Sequence, residues 1–119
     1  METRPVYGKE QDLVNDIVDL VNMSGGLALR INSGIVLTHD DGLEGVNSRR
    51  RVFRGAPAGT SDIIALWNGK FVAIECKLKG NKMTGLQTEF RDKVIAGGGA
   101  HILAYSLDDV IEGLGIGTG

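Results

Sequence analysis

The chain has 119 residues, 42% of them hydrophobic, enough for one domain with one core and too few for two. A single cysteine excludes an intramolecular disulfide framework, no Cys/His pattern has zinc spacing, and no apolar run approaches the ~20 residues of a membrane span. The net charge of −2 is unevenly spread, because residues 49–93 carry ten Lys/Arg against four acids while residues 1–48 carry three against eight. A basic half of this kind is the electrostatic footprint of a phosphodiester ligand, and it is also the composition of an ordinary solvated face.

Residues 1–9 are polar and carry no secretory signal, so an intracellular place is expected. Residues 9–23 read as an amphipathic helix with Leu13, Val14, Ile17 and Val21 on one stripe, closed by Ser24-Gly25-Gly26. Glu10 is the oddity: at about 100° per residue it falls at the centre of that apolar stripe. A carboxylate there also interacts favourably with the helix dipole, so the position has two readings. Residues 27–31 read as a first strand on which Arg30 and Asn32 point the same way, toward a phosphate, toward the Asp62 and Glu75 carboxylates or toward an exposed acid. Residues 38–48 are acidic and glycine-punctuated, and Asp40-Asp41-Gly42 fails the EF-hand spacing, so a mobile loop is expected. The run RRRVFR at 49–54 has the β-branched and aromatic content of an edge strand, whose guanidinium groups either blunt the edge or grip phosphates. Residues 55–59, GAPAG, end that strand and let the backbone approach a neighbour closely before Asp62; they lack the Gly-Lys-Ser/Thr of a P-loop.

Asn68-Gly69 then sits between two apolar runs, the strongest short-range hairpin signal, since a type I′ turn needs positive φ at both central residues. Pairing Trp67 with Lys70 sets Leu66 opposite Phe71, Ile64 opposite Ala73 and Asp62 opposite Glu75. Phe71, Ala73, Glu75, Lys77 and Lys79 share one face, and Val72, Ile74, Cys76 and Leu78 the other. Opposed side chains stand about 4.5–5.5 Å apart at Cβ, where like charges are destabilising. Lys77, one pleat along at roughly 6.5 Å, and a hard cation such as Mg²⁺ or Mn²⁺ are the available compensators for two carboxylates. Alternating acids and lysines also mark exposed strands. Here the flanking residues 63–66 and 72–74 are apolar on both faces, so the strands read as central and buried, where charge needs a reason. Cys76 points away from Glu75 and reads as a small core hydrophobe.

Thr84 and Gln87 fit a capping box. The helix they open carries Leu86, Phe90 and Val94 as its expected buried stripe, with Gln87 on the flank, and ends at Gly97-Gly98-Gly99. Residues 101–105 supply a last strand, 107–112 a short helix, and 113–119 a frayed tail. His39 and His101 lack a second ligand at metal spacing and read as structural. The order helix, strand, strand, hairpin strand, helix, strand describes an α/β domain with a mixed sheet between helices.

Asp62 followed, after a hairpin, by Glu75-Cys76-Lys77 resembles the D…(D/E)-x-K signature of the restriction-endonuclease-like nuclease superfamily. Gly59-Thr60-Ser61-Asp62, the Ile74-Glu75-Cys76-Lys77 strand, Thr84 with Gln87, and the Arg30-Ile31-Asn32-Ser33-Gly34 turn are similar to its virus-type replication and repair nuclease (VRR-NUC) branch. The likeness covers residues 10–105, and Ser61 stands where the superfamily's name-giving proline would be. It implies one VRR-NUC-like domain over 1–119, with an αβββαβ core at about 9–106 and a flexible tail at 113–119. It further implies metal-dependent hydrolysis of DNA, with Mg²⁺ or Mn²⁺ held by Glu10, Asp62, Glu75 and the Cys76 carbonyl. Lys77 would orient or deprotonate the attacking water, and Gln87 would assist the lysine and the scissile phosphate. The candidate DNA contacts are Arg30, Arg49, Arg50, Arg51, Arg54, Lys79 and Lys82. Standalone members resemble Holliday-junction resolvases and act as homodimers. Branched or four-way DNA, a role in DNA repair and the cytoplasm of a bacterial or phage-infected cell are therefore the implied substrate, process and place. A non-catalytic DNA-binding or assembly module, and a nickase or exonuclease with the same metal chemistry, are the alternatives; a module would show a broken constellation, whereas every member stands here.

Overall fold

The computed structural model describes residues 7–32, 35–39 and 50–117. Arg49, the acidic segment 40–48, Ser33, Gly34, Thr118 and Gly119 lie outside the described residues. The elements in chain order are α1 (Glu10–Met23), β1 (Leu27–Arg30), β2 (Ile35–His39), β3 (Arg50–Arg54), β4 (Ile63–Trp67), β5 (Lys70–Cys76), α2 (Gly85–Ala96), β6 (Ala100–Ala104) and α3 (Leu107–Leu114). One four-stranded sheet has the order β1-β4-β5-β6, with β1, β4 and β5 antiparallel in turn and β6 parallel to β5. This is the expected α/β domain with a mixed sheet flanked by helices, and without β2 and β3 the order is αβββαβ followed by α3. No helix among the described residues is long and apolar enough to cross a membrane.

The hairpin register follows from the turn. Asn68 and Gly69 have φ of 50° and 77°, both positive as a type I′ turn requires, and Trp67 pairs with Lys70, Leu66 with Phe71 and Ile63 with Ile74. One face of the sheet is the core. Leu13, Val14, Ile17 and Val21 of α1 are buried against Ala28, Ile63, Ala65, Val72, Ile74 and Cys76, and α3 adds Val110 beside Ala104. Each fully buried aliphatic side chain contributes about 1.5–3 kcal/mol before the entropy of ordering is subtracted. The Trp67 indole N–H donates to the Leu114 carbonyl at 3.1 Å, which fastens the hairpin to the last turn of α3.

The opposite face is covered only in part, which corrects the expectation of strands buried on both sides. Ile63 and Ala65 are buried, but Leu66 is 53% and Phe71 47% exposed, and Leu27 and Leu29 of β1 are exposed on the same side. The cause is the placement of α2, which packs along β6 and leaves the turn end of the hairpin bare. The expected stripe of α2 is corrected with it: Phe90 and Val94 are half-buried, while Leu86 stands exposed. The arginine run is a strand, yet it pairs with no strand of the central sheet, because β3 pairs with β2 in a two-stranded sheet of its own. The last helix runs on to Leu114, two residues into the expected tail, and ends at Gly115 with φ of 71°.

Gly59 explains why Leu86 faces outward. Its φ is +91°, and a Cβ there would lie 2.5 Å from the Leu86 carbonyl oxygen and 2.8 Å from the Leu86 Cβ, so the loop backbone occupies the space beneath the first turn of α2. Gly80 has nearly the same φ, +93°, with nothing within 4 Å of its would-be Cβ. Gly59→Ala should therefore lose about 2–4 kcal/mol of stability and Gly80→Ala only about 1–2 kcal/mol, measured by urea unfolding. Equal losses would show that the contact with Leu86 adds nothing.

Candidate active site

Asp62 lies one residue before β4 and Glu75 one residue before the end of β5, so the hairpin register carries them to the same level of the sheet. Asp62 is tied twice. Its carbonyl accepts the Ile31 N–H at 2.8 Å, continuing the β1 edge, and its Oδ2 accepts the Cys76 N–H at 2.8 Å. The carboxylate is thereby held against β5, beside Glu75, which is 1% exposed.

A carboxyl group at that depth resists ionisation. Burial pushes the Glu75 carboxyl well above the usual carboxylate range, and a hydrogen bond shared with Asp62, the Asp62 charge and the Glu10 charge push the same way; Lys77 opposes them. Its Oε1 is buried with no hydrogen-bond partner among the described residues. Glu10, half-buried at the start of α1, is raised by burial and then by Asp62, with Lys77 opposing. The apolar-stripe position of Glu10 thus has its structural outcome: α1 brings a third carboxylate into the same electrostatic group as Asp62, Glu75 and Lys77.

The other candidate residues divide. Lys77 follows β5, and its N–H donates to the Ala104 carbonyl at 3.0 Å, so the parallel neighbour β6 sets its backbone. Thr84 and Gln87 form the complete capping box: the Gln87 N–H donates to Thr84 Oγ1 at 3.3 Å, and Gln87 Oε1 accepts the Thr84 N–H at 2.8 Å. The glutamine's acceptor is thus committed to the helix start, while its amide donors take no part in the cap. Cys76 is fully buried in the core, as expected, and burial pushes its thiol up. Arg30 reaches α1, where its Nη1 donates to Asn15 Oδ1 at 2.8 Å, and not the carboxylates. Lys79 and Lys82 are exposed beyond β5, Arg50, Arg51 and Arg54 belong to β3, and Arg49 lies outside the described residues.

One contact at the site had no sequence signal beyond proximity to Asp62. Ser61, 1% exposed, has its hydroxyl 3.3 Å from Nε2 of His101 on β6. The parallel register of β6, on which the contact depends, is set by tertiary packing and leaves no local mark.

The donor set suits a hard divalent ion. Among the described residues no three His, Cys, Asp or Glu side chains are grouped so as to hold a metal by themselves. Mg²⁺, however, is commonly held by one or two carboxylates, with water and phosphate oxygens completing its shell. The orphaned Oε1 of Glu75 and the Asp62 charge beside it are the features that a bound cation would relieve. No protein-family model matches this sequence, and no curated protein matches it.

The raised Glu75 has a consequence for metal-free protein. Between the ordinary carboxylate range and its own elevated pKa, the folded chain holds a proton that the unfolded chain has released, so stability falls as pH rises. Urea unfolding in EDTA from about pH 5 to about pH 9 should show wild type losing stability relative to Glu75→Gln, the gap widening with pH. A constant gap would mean that Glu75 titrates normally.

Proposed function

We propose that the protein is a metal-dependent DNA nuclease of the VRR-NUC kind, hydrolysing phosphodiester bonds in branched or four-way DNA. The observation that carries this reading is Glu75: a carboxyl buried to 1% exposure, with an orphaned oxygen, beside Asp62 and within the influence of Lys77 and Glu10. A purely structural carboxylate at such depth would be paired and fully hydrogen-bonded. One left frustrated is the usual mark of a functional site.

Asp62 and Glu75, with Glu10 and the Cys76 carbonyl, would hold Mg²⁺ or Mn²⁺. When bound, the ion supplies water activation and neutralises charge on the phosphate. The Cys76 N–H fixes the orientation of the Asp62 carboxylate, so one ligand is preorganised before any ion arrives. Lys77, following Glu75 by two residues, orients the attacking water and stabilises the charge that develops on the phosphoryl oxygens. Gln87 contributes amide donors toward the phosphate while its oxygen holds the helix start. Exposed Lys79 and Lys82 extend the positive surface from the site, and the arginines of β3 are further phosphate contacts in this reading. A homodimer belongs to the same reading, and the exposed leucines and Phe71 on the open sheet face are apolar area that association would cover. So do a role in DNA repair and a cytoplasmic place.

Incubation with linear, flapped and four-way DNA in Mg²⁺, Mn²⁺ or EDTA tests the activity. Cleavage is expected in either metal and none in EDTA, with four-way or flapped DNA preferred; binding without cleavage in any metal would favour a non-catalytic module. Lys77→Ala should lower the cleavage rate by about 10²–10⁴-fold with DNA affinity within a few-fold of wild type. Turnover like that of wild type in the folded variant would remove Lys77 from the mechanism.

Metal binding has a second readout in stability. If Mg²⁺ binds with a dissociation constant of roughly 1 mM, then about 10 mM stabilises the fold by about 1.4 kcal/mol, a melting shift of about 4–8 °C. Asp62→Asn, which removes both a ligand and the repulsion, should melt higher than wild type in EDTA and respond little to Mg²⁺. Equal metal responses would mean that the two carboxylates do not share an ion.

A further inference from the structure

His101 takes no part in the chemistry above, yet it touches the residue that precedes Asp62. It pairs with Ala73 in the parallel register of β6, and Leu103 pairs with Glu75, so alternation puts the His101 ring on the Glu75 face of the sheet. The ring lies half-buried beside α2, where burial and then the Arg91 charge hold its pKa below the usual value, with Asp92 opposing. A neutral imidazole carries one N–H and one bare nitrogen, so Nε2 either accepts the Ser61 hydroxyl or donates to it. In both tautomers the 3.3 Å contact joins chain segments 40 residues apart.

Any polar neighbour would satisfy a buried serine, so the meaning of this one lies in its place. The Asp62 carbonyl is bonded to Ile31, at the end of β1, and the Asp62 carboxylate to Cys76 on β5. The Ser61–His101 contact adds β6, so the approach to β4 is bonded to each of the other three strands of the central sheet. Upstream, the Thr60 N–H and hydroxyl both donate to the Pro57 carbonyl, at 3.1 and 2.6 Å, and Gly59 abuts Leu86. The turn before Asp62 is therefore stiff, and its freedom to rotate about Ser61 is limited by His101.

We propose that Ser61 and His101 form a positioning pair that aims the Asp62 carboxylate at the Cys76 N–H and at Glu75. The pair makes β6 part of the site without placing either side chain on the substrate. The effect on metal binding rests on the nuclease reading above; the effect on Asp62 does not.

The Cys76 amide reports the Asp62 carboxylate directly, since that carboxylate is its acceptor. Amide hydrogen exchange by NMR is measured without metal in wild type, Ser61→Ala, His101→Leu and His101→Gln, with the Val72 and Ile74 amides of the same strand as internal standards. In Ser61→Ala and His101→Leu the Cys76 amide should exchange about five- to tenfold faster relative to those standards. His101→Gln, whose amide nitrogen falls near the place of Nε2, should recover most of the protection. Unchanged relative protection overturns the proposal, and so does equal acceleration of all three amides, which would reduce the contact to general stability. Calorimetric titration with Mn²⁺ then separates the two claims. Affinity about five- to tenfold weaker in Ser61→Ala and His101→Leu, restored in His101→Gln, supports both. If wild type binds no Mn²⁺ while the Cys76 amide responds as described, the metal reading fails and the positioning pair stands.

Discussion

Burial of the Glu75 carboxyl is the constraint around which the domain is arranged. Placing a carboxylate near the end of a central strand, at 1% exposure, costs several kcal/mol unless a partner or an ion offsets it. That is comparable with what two or three buried aliphatic side chains contribute. The surroundings meet the cost only in part. Lys77 lowers it, Asp62 and Glu10 raise it, and one oxygen stays without a partner among the described residues. A protein that keeps such a group retains an unfilled demand for positive charge at one defined point, and the hairpin, the first helix and the turn before Asp62 all converge there.

Stability of the frame and frustration of the site are divided between the two faces of the sheet. The face toward α1 and α3 is a continuous apolar core, from Leu13 and Ile17 through Ile63 and Ile74 to Val110. Glu75, Ala73 and His101 occupy the other face, where α2 packs along β6 and the turn carrying Ser61 meets His101. A well-packed face on one side allows the strands to hold two carboxylates in register on the other, because strain at the site is opposed by a core that does not share it. The charge pattern follows the same division: Lys79 and Lys82 lie exposed past the end of β5, while Arg30 is turned to Asn15 of α1.

What was legible in the sequence was local. Asn68-Gly69 determines the hairpin pairing because only a few residues tolerate two successive positive φ values, and that pairing alone brings Asp62 level with Glu75. The α1 stripe and the Thr84–Gln87 cap are likewise problems of one element, solved within a few residues of chain. Apart from strand β2, whose Thr38 and His39 fall in the expected loop, the features that escaped are non-local. Apolar residues at Leu66 and Phe71 look buried to any periodicity argument, but their exposure depends on where α2 lies. The pairing of β3 with β2, away from the central sheet, is a choice between partners that strand propensity does not distinguish. The meeting of Ser61 with His101 needs the parallel register of β6, which no turn encodes.

The junction of Gly59 with Leu86 has a bearing on how such a protein can change over generations. The Gly59 backbone lies against the carbonyl and the first side-chain carbon of Leu86, so there is little that mutation can trim or enlarge to absorb a shift. A displacement of the loop that carries Asp62 is handed directly to the helix start that carries Gln87, and the reverse holds as well. Compensation by a second substitution nearby, the common escape route for a packed interface, is closed at this point. The loop and the helix start are therefore physically one piece, and tolerance of substitution is expected on either side of the junction and not at it.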